Sequence, residues 1–310
     1  MKIAIVGPGA MGCLFAALLS RVKDRHEIWL LDKISERAKE LNKKGILVEG
    51  ISRIKVNPGV TDDANKIGPC ELVIIFTKSY DTEKALRSIK PLLTDETNVL
   101  SLQNGLGNIE AIADCVGEDM SIGGVTSYGA TLLGIGKVRH AGKGETIIGK
   151  PTGKVFKDLR QVARLFNEAG IPVKVSKEIR SAIWSKLVIN VGINALCAIC
   201  RLPNGALLHY EGTRELLKQA ALEAVKVAKR KRIKLSYDDP LQKVESISAS
   251  TSDNICSMLQ DVLRRKQTEI DYINGAIIRQ GRSCGVKTPI NDTLVQLVKS
   301  IESSYKRQLK

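Results

Sequence analysis

Lys186, Asn190 and Asn194 recur every four residues in the run Ala182-Ile-Trp-Ser-Lys-Leu-Val-Ile-Asn-Val-Gly-Ile-Asn-Ala-Leu-Cys-Ala-Ile-Cys200. Residues four apart share one face of a helix, so one ammonium and two amides form a single polar stripe on an otherwise apolar segment. Burying such groups without partners costs several kcal/mol, roughly 2–7 for an unpaired amide. Something polar must therefore face the stripe. Two readings fit the stretch alone: an internal network between helices with Lys186 reaching outward, or a face that binds a small polar molecule.

A second chemical feature lies at the N-terminus, in Gly7-Pro8-Gly9-Ala10-Met11-Gly12. A Gly-x-Gly-x-x-Gly pattern alone is weak. Here it follows an apolar run that reads as a strand and opens a run that reads as a helix, the setting of a dinucleotide pyrophosphate site. Gly7 permits the tight turn, Gly9 lets backbone approach the phosphates, and Gly12 lets helix and strand pack closely. Free N–H groups at the helix start then hold the anion. Asp32 lies about 20 residues on, where a carboxylate takes the ribose hydroxyls of NAD(H). Its neighbour Lys33 would instead suit the 2′-phosphate of NADP(H), which Asp32 would repel. On charge alone the balance leans to NAD(H).

The elements that must position these groups follow an alternating pattern and then a helical one. Strands are expected at 3–6, 27–31, 72–76, 98–102 and 172–175, with helices at 13–21, 34–43 and 82–93 between them. That alternation predicts a doubly wound, Rossmann-type α/β domain. Residues 137–149 read as a hairpin turning at Gly142-Lys-Gly144. Helices are then expected at 179–200, 213–232, 240–244, 254–266, 268–281 and 289–307. Thr268-Glu-Ile-Asp271 has the form of a capping box, and Pro289 that of a first helical turn. The expected organisation is a dinucleotide-binding domain over 1–175 and an all-α domain over 176–310.

With 310 residues, 43% hydrophobic and 26% charged, the chain has the composition of a globular protein with room for two cores. Its seven cysteines have no framework spacing, which argues against a disulfide scaffold. Cys197-x-x-Cys200 lies in an apolar helical run without a second pair, so both are expected as buried small hydrophobes and no metal site is expected. The net charge of +15 invites a nucleic-acid reading. Its densest cluster, residues 226–234, instead falls where cations oppose a helix dipole. Aromatics, at 4%, do not interleave with it as base-stacking platforms would. No signal-peptide pattern opens the chain, and the polar stripe interrupts the one long apolar run. A cytoplasmic protein without a membrane span or a nucleic-acid partner is expected.

Taken together, several motifs resemble the 2-dehydropantoate 2-reductase (ketopantoate reductase) family over nearly the whole chain. They are the glycine loop, Thr77-Lys78-Ser79, Gln103-Asn104-Gly105-Leu106-Gly107, Trp184-Ser-Lys186 with Asn190 and Asn194, Leu202-Pro203-Asn204-Gly205, Ser257-Met-Leu-Gln-Asp261 and Thr268-Glu269-Ile-Asp-Tyr-Ile-Asn-Gly275. Singly, Glu269 and Ser257 would suit a helix start and a polar core position, Lys78 a surface cation and Asn104-Gly105 a turn. The resemblance implies an N-terminal Rossmann domain, a helical C-terminal domain and an active site in the cleft between them. It implies reduction of 2-dehydropantoate to (R)-pantoate by NADPH, on the route to pantothenate and coenzyme A, the alternatives being a related reductase of another branched 2-oxo acid or a dinucleotide-binding regulator without turnover. By the same resemblance Lys186 is the general acid, and Glu269 lies near it and the cofactor. Asn190, Asn194 and Asn204 orient the substrate, and Ser257 holds its carboxylate end. Lys78, Asn104 and Ala130 fall at cofactor-side positions. Family members often carry a neutral residue and Arg where this chain has Asp32-Lys33, which leaves the coenzyme open between NADP(H) and NAD(H). A homodimer through the helical half is the expected assembly.

Overall fold

A computed structural model describes residues 1–22 and 26–308. They form two compact units, Met1–Gln103 with Gly107–Ile179, and Asn104–Leu106 with Arg180–Lys310. The break thus falls after Ile179 rather than near 175, because the Ile179 side chain lies over Gly123 and Gly149 of the first unit. Residues 104–106 join the second unit through a bond from the Leu106 N–H to the Tyr272 carbonyl (3.0 Å).

The first unit carries strands β1 (Lys2–Val6), β2 (Glu27–Leu31), β3 (Ile46–Gly50), β4 (Ile54–Val56), β5 (Gly59–Thr61), β6 (Leu72–Ile75), β7 (Asn98–Ser101), β8 (Ser121–Thr126), β9 (Gly129–Gly134), β10 (Lys137–Gly142), β11 (Thr146–Gly149) and β12 (Val173–Val175). Its helices are α1 (Ala10–Leu19), α2 (Ser35–Lys44), α3 (Thr82–Ser88), α4 (Asn108–Val116) and α5 (Lys157–Glu168). Among the described residues an eight-stranded sheet runs β12-β11-β8-β7-β6-β1-β2-β5, parallel except at β8/β11. Chain order runs outward from β1 in both directions, so the end of β1 is the switch point where α/β sheets bind ligands. Phe15 of α1 packs tilted on Phe76 and edge-on to Tyr128 and Phe166, with centroids 4.9, 5.7 and 5.9 Å away, and this ring cluster anchors the core of the unit.

The hairpin expected at 137–149 does not form. β10 pairs with β9 and, in parallel, with β3, whereas β11 pairs with β8 and β12 of the large sheet. A separate four-stranded sheet, β4-β3-β10-β9, results. The helix expected over 82–93 stops at Ser88, and Pro91 sits in a following 3₁₀ turn, Lys90–Leu92.

The second unit holds α6 (Ile179–Cys200), α7 (Glu211–Arg230), α8 (Pro240–Ser250), α9 (Ser257–Leu263), α10 (Asn274–Cys284) and α11 (Pro289–Ser303). α6 is long and apolar enough to cross a membrane, contrary to the expectation from its polar stripe, but two thirds of that stretch is buried inside the protein. It is the core helix of this unit: at Gly192 it meets Leu217 and Ala221 of α7 and Val244 of α8. The capping box at 268–271 opens no α-helix. The Thr268 hydroxyl accepts from the Ile270 N–H (3.2 Å) and starts a 3₁₀ turn, Ile270–Tyr272, while Asp271 pairs with Lys299. The cluster at 226–234 ends α7, with its cations exposed. Cys197 is buried as expected, but Cys200 is exposed.

Glu223 of α7 ties this unit together. Its buried carboxylate accepts from the Ile290 and Asn291 N–H groups (2.9 and 3.0 Å) and the Asn291 amide (2.7 Å), satisfying donors that α11 leaves unpaired at its start. Glu223→Ala is expected to destabilise the protein by about 3 kcal/mol in a denaturant melt, since hydrogen bonds to a charged group contribute ~1.5–3 kcal/mol and the orphaned donors stay buried. A change below about 0.5 kcal/mol would show that water replaces the carboxylate.

Candidate functional site

In the first unit, β1 ends at Val6 and α1 begins at Ala10, so the glycine loop joins strand to helix directly. A Cβ on Gly12 would stand 2.2 Å from the Gly7 carbonyl oxygen, so only glycine fits there, whereas Gly9 faces open space. α1 has no acidic residue in its first turn and no side-chain cap, so no side chain of that turn competes with an anion for its first N–H groups. Backbone and charge therefore suit a dinucleotide pyrophosphate held over Gly7 to Gly12, with Pro8, Ala10 and Met11 completing the loop.

At the end of β2, Asp32 is only 1% exposed. Its oxygens accept from the Ile34 N–H (3.1 Å) and from both Nε and Nη2 of Arg37, the latter at 2.6 Å. Asp32 is thus already neutralised by an arginine from the first turn of α2. Lys33 is exposed and pairs with Asp81 at 2.7 Å. Arg37 went unseen in the sequence; its signal was its position five residues after Asp32, at the helix start.

Lys78 precedes the 3₁₀ turn Ser79–Asp81. A side-chain network fixes that segment. The Gln103 amide donates to the Thr77 carbonyl and the Thr82 hydroxyl (both 2.8 Å), Thr82 donates to Asn108 (2.8 Å), and Asn108 donates to Ser79 (3.1 Å). Gln103 and Asn108 are thus tied to the distant Thr77–Thr82 segment of the same unit. Ala130 lies in β9 opposite His140, partly buried against the core.

In the second unit Lys186, Asn190 and Asn194 occupy one face of α6. Burial pushes the Lys186 ammonium down to about 8, and the Glu269 carboxylate opposes the shift. Glu269 is itself 6% exposed. It is held by its neighbour Thr268, whose N–H donates to Glu302 (2.7 Å), and by the turn that follows, where Tyr272 donates to the Glu269 carbonyl (3.0 Å). Among the described residues the side chains of Asn190, Asn194 and Ser257 make no hydrogen bond, although Asn194 is only 5% exposed. Asn204 differs: its amide donates to Thr251 (2.9 Å) and accepts from the Cys197 thiol (3.6 Å), and its carbonyl accepts from Ser248 (2.6 Å). Asn204 has the bonding of a residue that positions the turn between α6 and α7. Asn104 belongs to the second unit.

Family models for ketopantoate reductase match the chain twice, "Ketopantoate reductase PanE/ApbA" over residues 3–153 and "Ketopantoate reductase PanE/ApbA C terminal" over residues 178–302. The chain belongs to the ketopantoate reductase family. It is 37% identical to the 2-dehydropantoate 2-reductase of Pyrococcus horikoshii, over 98% of both chains. Its fold matches a ketopantoate reductase of the same family from Ralstonia eutropha with a TM-score of 0.90 and 32% identity, covering 99% of this chain and all of the other. It also matches a D-mandelate dehydrogenase solved with NADH and anilino(oxo)acetate, at a TM-score of 0.90 and 29% identity over 99% of this chain and 100% of that one. Family membership agrees with the α/β unit followed by a helical unit, and with the family's use of a nicotinamide coenzyme.

Proposed function

We propose that the protein reduces 2-dehydropantoate to (R)-pantoate, with Lys186 as the proton donor. The observation that carries this reading is the contrast along α6: a lysine held near working pH beside a buried carboxylate, followed by two amides without partners. When bound, the reduced nicotinamide supplies a hydride to the C2 carbonyl carbon of the substrate. Charge then develops on the carbonyl oxygen. The Lys186 ammonium stabilises that charge and donates its proton to complete the hydroxyl. Glu269 keeps the ammonium charged before the transfer. Asn190, Asn194 and Ser257 take the polar groups of the substrate, supplying amide and hydroxyl hydrogen bonds that no other side chain uses.

For the coenzyme, the Asp32–Arg37 pair cancels the charge that would repel a 2′-phosphate, and the exposed Lys33 adds a cation. Both NADPH and NADH are therefore used. Lys33→Ala should cut kcat/KM for NADPH about tenfold, the scale of one charge-assisted contact, and leave NADH little changed. Asp32→Ala should raise the ratio of NADPH to NADH use. Equal losses with both coenzymes in Lys33→Ala would remove Lys33 from discrimination.

A second reading draws on the likeness to D-mandelate dehydrogenase: the same chemistry on an aromatic 2-oxo acid. Purified protein assayed for NADPH and NADH oxidation with 2-dehydropantoate and with phenylglyoxylate separates the two. Higher kcat/KM with 2-dehydropantoate is expected. Preference for phenylglyoxylate would favour the second reading, and no turnover with either acid would overturn both.

A further inference from the structure

One buried amide joins the segment that carries Glu269 to the helix that carries Lys186. Glu269 is followed by the 3₁₀ turn Ile270–Tyr272, and the Tyr272 and Ile273 N–H groups both donate to the Glu269 carbonyl (3.0 and 3.1 Å). α10 then begins at Asn274, so Glu269 stands one tight turn away from this residue. Asn274 is completely buried. Its amide nitrogen donates to the Val191 carbonyl of α6 (3.1 Å) and to the Asn291 amide oxygen of α11 (3.0 Å). Val191 lies on α6 between Asn190 and Asn194. A backbone carbonyl only accepts, so the NH2 end of Asn274 must face α6. Asn291 is oriented in turn, because its own nitrogen donates to the Ala220 carbonyl (3.1 Å) and the Glu223 carboxylate (2.7 Å) of α7. Each amide thus has one orientation that satisfies its partners.

We infer that Asn274 is a positioning residue, which sets the Glu269 turn against the helix that carries Lys186. Such a role deepens, and rests on, the reading of Lys186 as the proton donor with Glu269 acting on it. The Asn274 amide oxygen is buried with no partner among the described residues, a cost that an apolar side chain of similar shape would not carry. The two donors are therefore what the position supplies, and one of them reaches α6. The Lys186 end of the helix is fixed separately. The Tyr237 hydroxyl donates to the Ser185 carbonyl (2.7 Å), and the Ser236 N–H donates to the Ser185 hydroxyl (2.8 Å). With that end held, the spacing of carboxylate and ammonium is left to the joint between α6 and the start of α10.

Among the described residues the buried acids of this unit are Glu223, Asp261 and Glu269. Half-buried Glu245, Cys256 and Tyr237, with the exposed Arg279 and Arg282 of α10, are further ionisable groups on elements that meet α6. Glu223 is committed to α11, and Glu245 to Arg214 and Lys218. The Lys186 titration responds to burial and then to Glu269 alone. Asn274 carries no charge, so a change there reaches that titration only by moving its neighbours. Asn274→Leu should act as a weakened Glu269→Gln. The Lys186 titration moves toward acid, and kcat near the wild-type midpoint falls about 3–10-fold as the protonated fraction falls. Lower pH restores the rate, and KM for the coenzyme stays unchanged.

Competitive acylation of the whole protein across a range of pH, read at the partly exposed Lys186 by mass spectrometry, follows its titration without turnover. Steady-state kinetics with 2-dehydropantoate gives the second readout. The wild-type midpoint is expected at about 8. Asn274→Leu and Glu269→Gln should each titrate at lower pH. Asn274→Leu added to Glu269→Gln should move the midpoint no further, as for two residues that act through one contact. Asn274→Ser, too short to reach both Val191 and Asn291, serves the same test where the leucine variant does not fold. Leu294→Ala opens a cavity in the same core and should keep the wild-type midpoint. Asn274 variants that titrate as wild type, an equal shift in Leu294→Ala, or additive shifts in the double variant would each overturn the proposal. Wild-type protein that never turns over the 2-oxo acid counts against the reductase reading, and the labelling still decides the role of Asn274.

Discussion

Lys186→Ala is expected to lower kcat by about 10²–10⁴-fold, the scale of a general acid, while dinucleotide affinity stays unchanged. The glycine loop that suits the pyrophosphate belongs to the first unit and Lys186 to the second. Lys186→Arg separates charge from proton transfer. A guanidinium keeps the positive charge but does not give up a proton near neutral pH, so Arg should be nearly as inactive as Ala. If Arg restores most of the rate, Lys186 acts through its charge and the proton comes from elsewhere. The pH profile gives an independent readout. A donor must carry its proton, and burial places the Lys186 titration at about 8. Turnover should hold below that value and fall as pH rises through it. The stability effect has the opposite sign. Because the folded protein binds this proton less tightly than the unfolded chain, stability gains as pH rises from about 8 toward the ordinary 10.5. Lys186→Ala should abolish that gain and should not lower Tm at neutral pH.

The features legible in the sequence are those whose geometry is local. The stripe on α6 follows from helical periodicity alone, and the junction of strand, glycine loop and helix occupies one continuous stretch. What was not legible depends on pairings between distant segments. The four-stranded sheet is built from short strands, and its β10 lies parallel to β3, about 90 residues away; no turn in the sequence announces that partner. The Gly142-Lys-Gly144 stretch looked like a hairpin turn but is the point where the chain passes from one sheet to the other. Asp32 is placed where the sequence puts it, at the end of β2. Its meaning changed because Arg37 comes round on the first turn of α2 and takes both oxygens. Asn204 shows the same limit: its position near α6 was readable, but the partners that occupy its amide are Thr251, just past the end of α8, and Cys197 on α6 itself.

Glu269→Gln is expected to move the descending limb of the pH profile toward acid. The carboxylate raises the Lys186 titration against burial, which lowers it. Gln keeps the shape of Glu but carries no charge, so burial then acts unopposed and the ammonium loses its proton at lower pH. Above the new midpoint the rate falls about tenfold for each unit that the limb moves, because the protonated fraction falls by that factor. Lowering the assay pH should recover much of the loss, which a merely structural role would not allow. The backbone next to this carboxylate is tied down by the Thr268 N–H, which donates to Glu302. Glu302→Ala should therefore produce a smaller acid shift of the same limb, by loosening the segment without removing the charge. A Glu269→Gln protein whose rate drops equally at every pH would separate Glu269 from the titration of Lys186. Its burial beside the lysine would then serve binding rather than proton transfer.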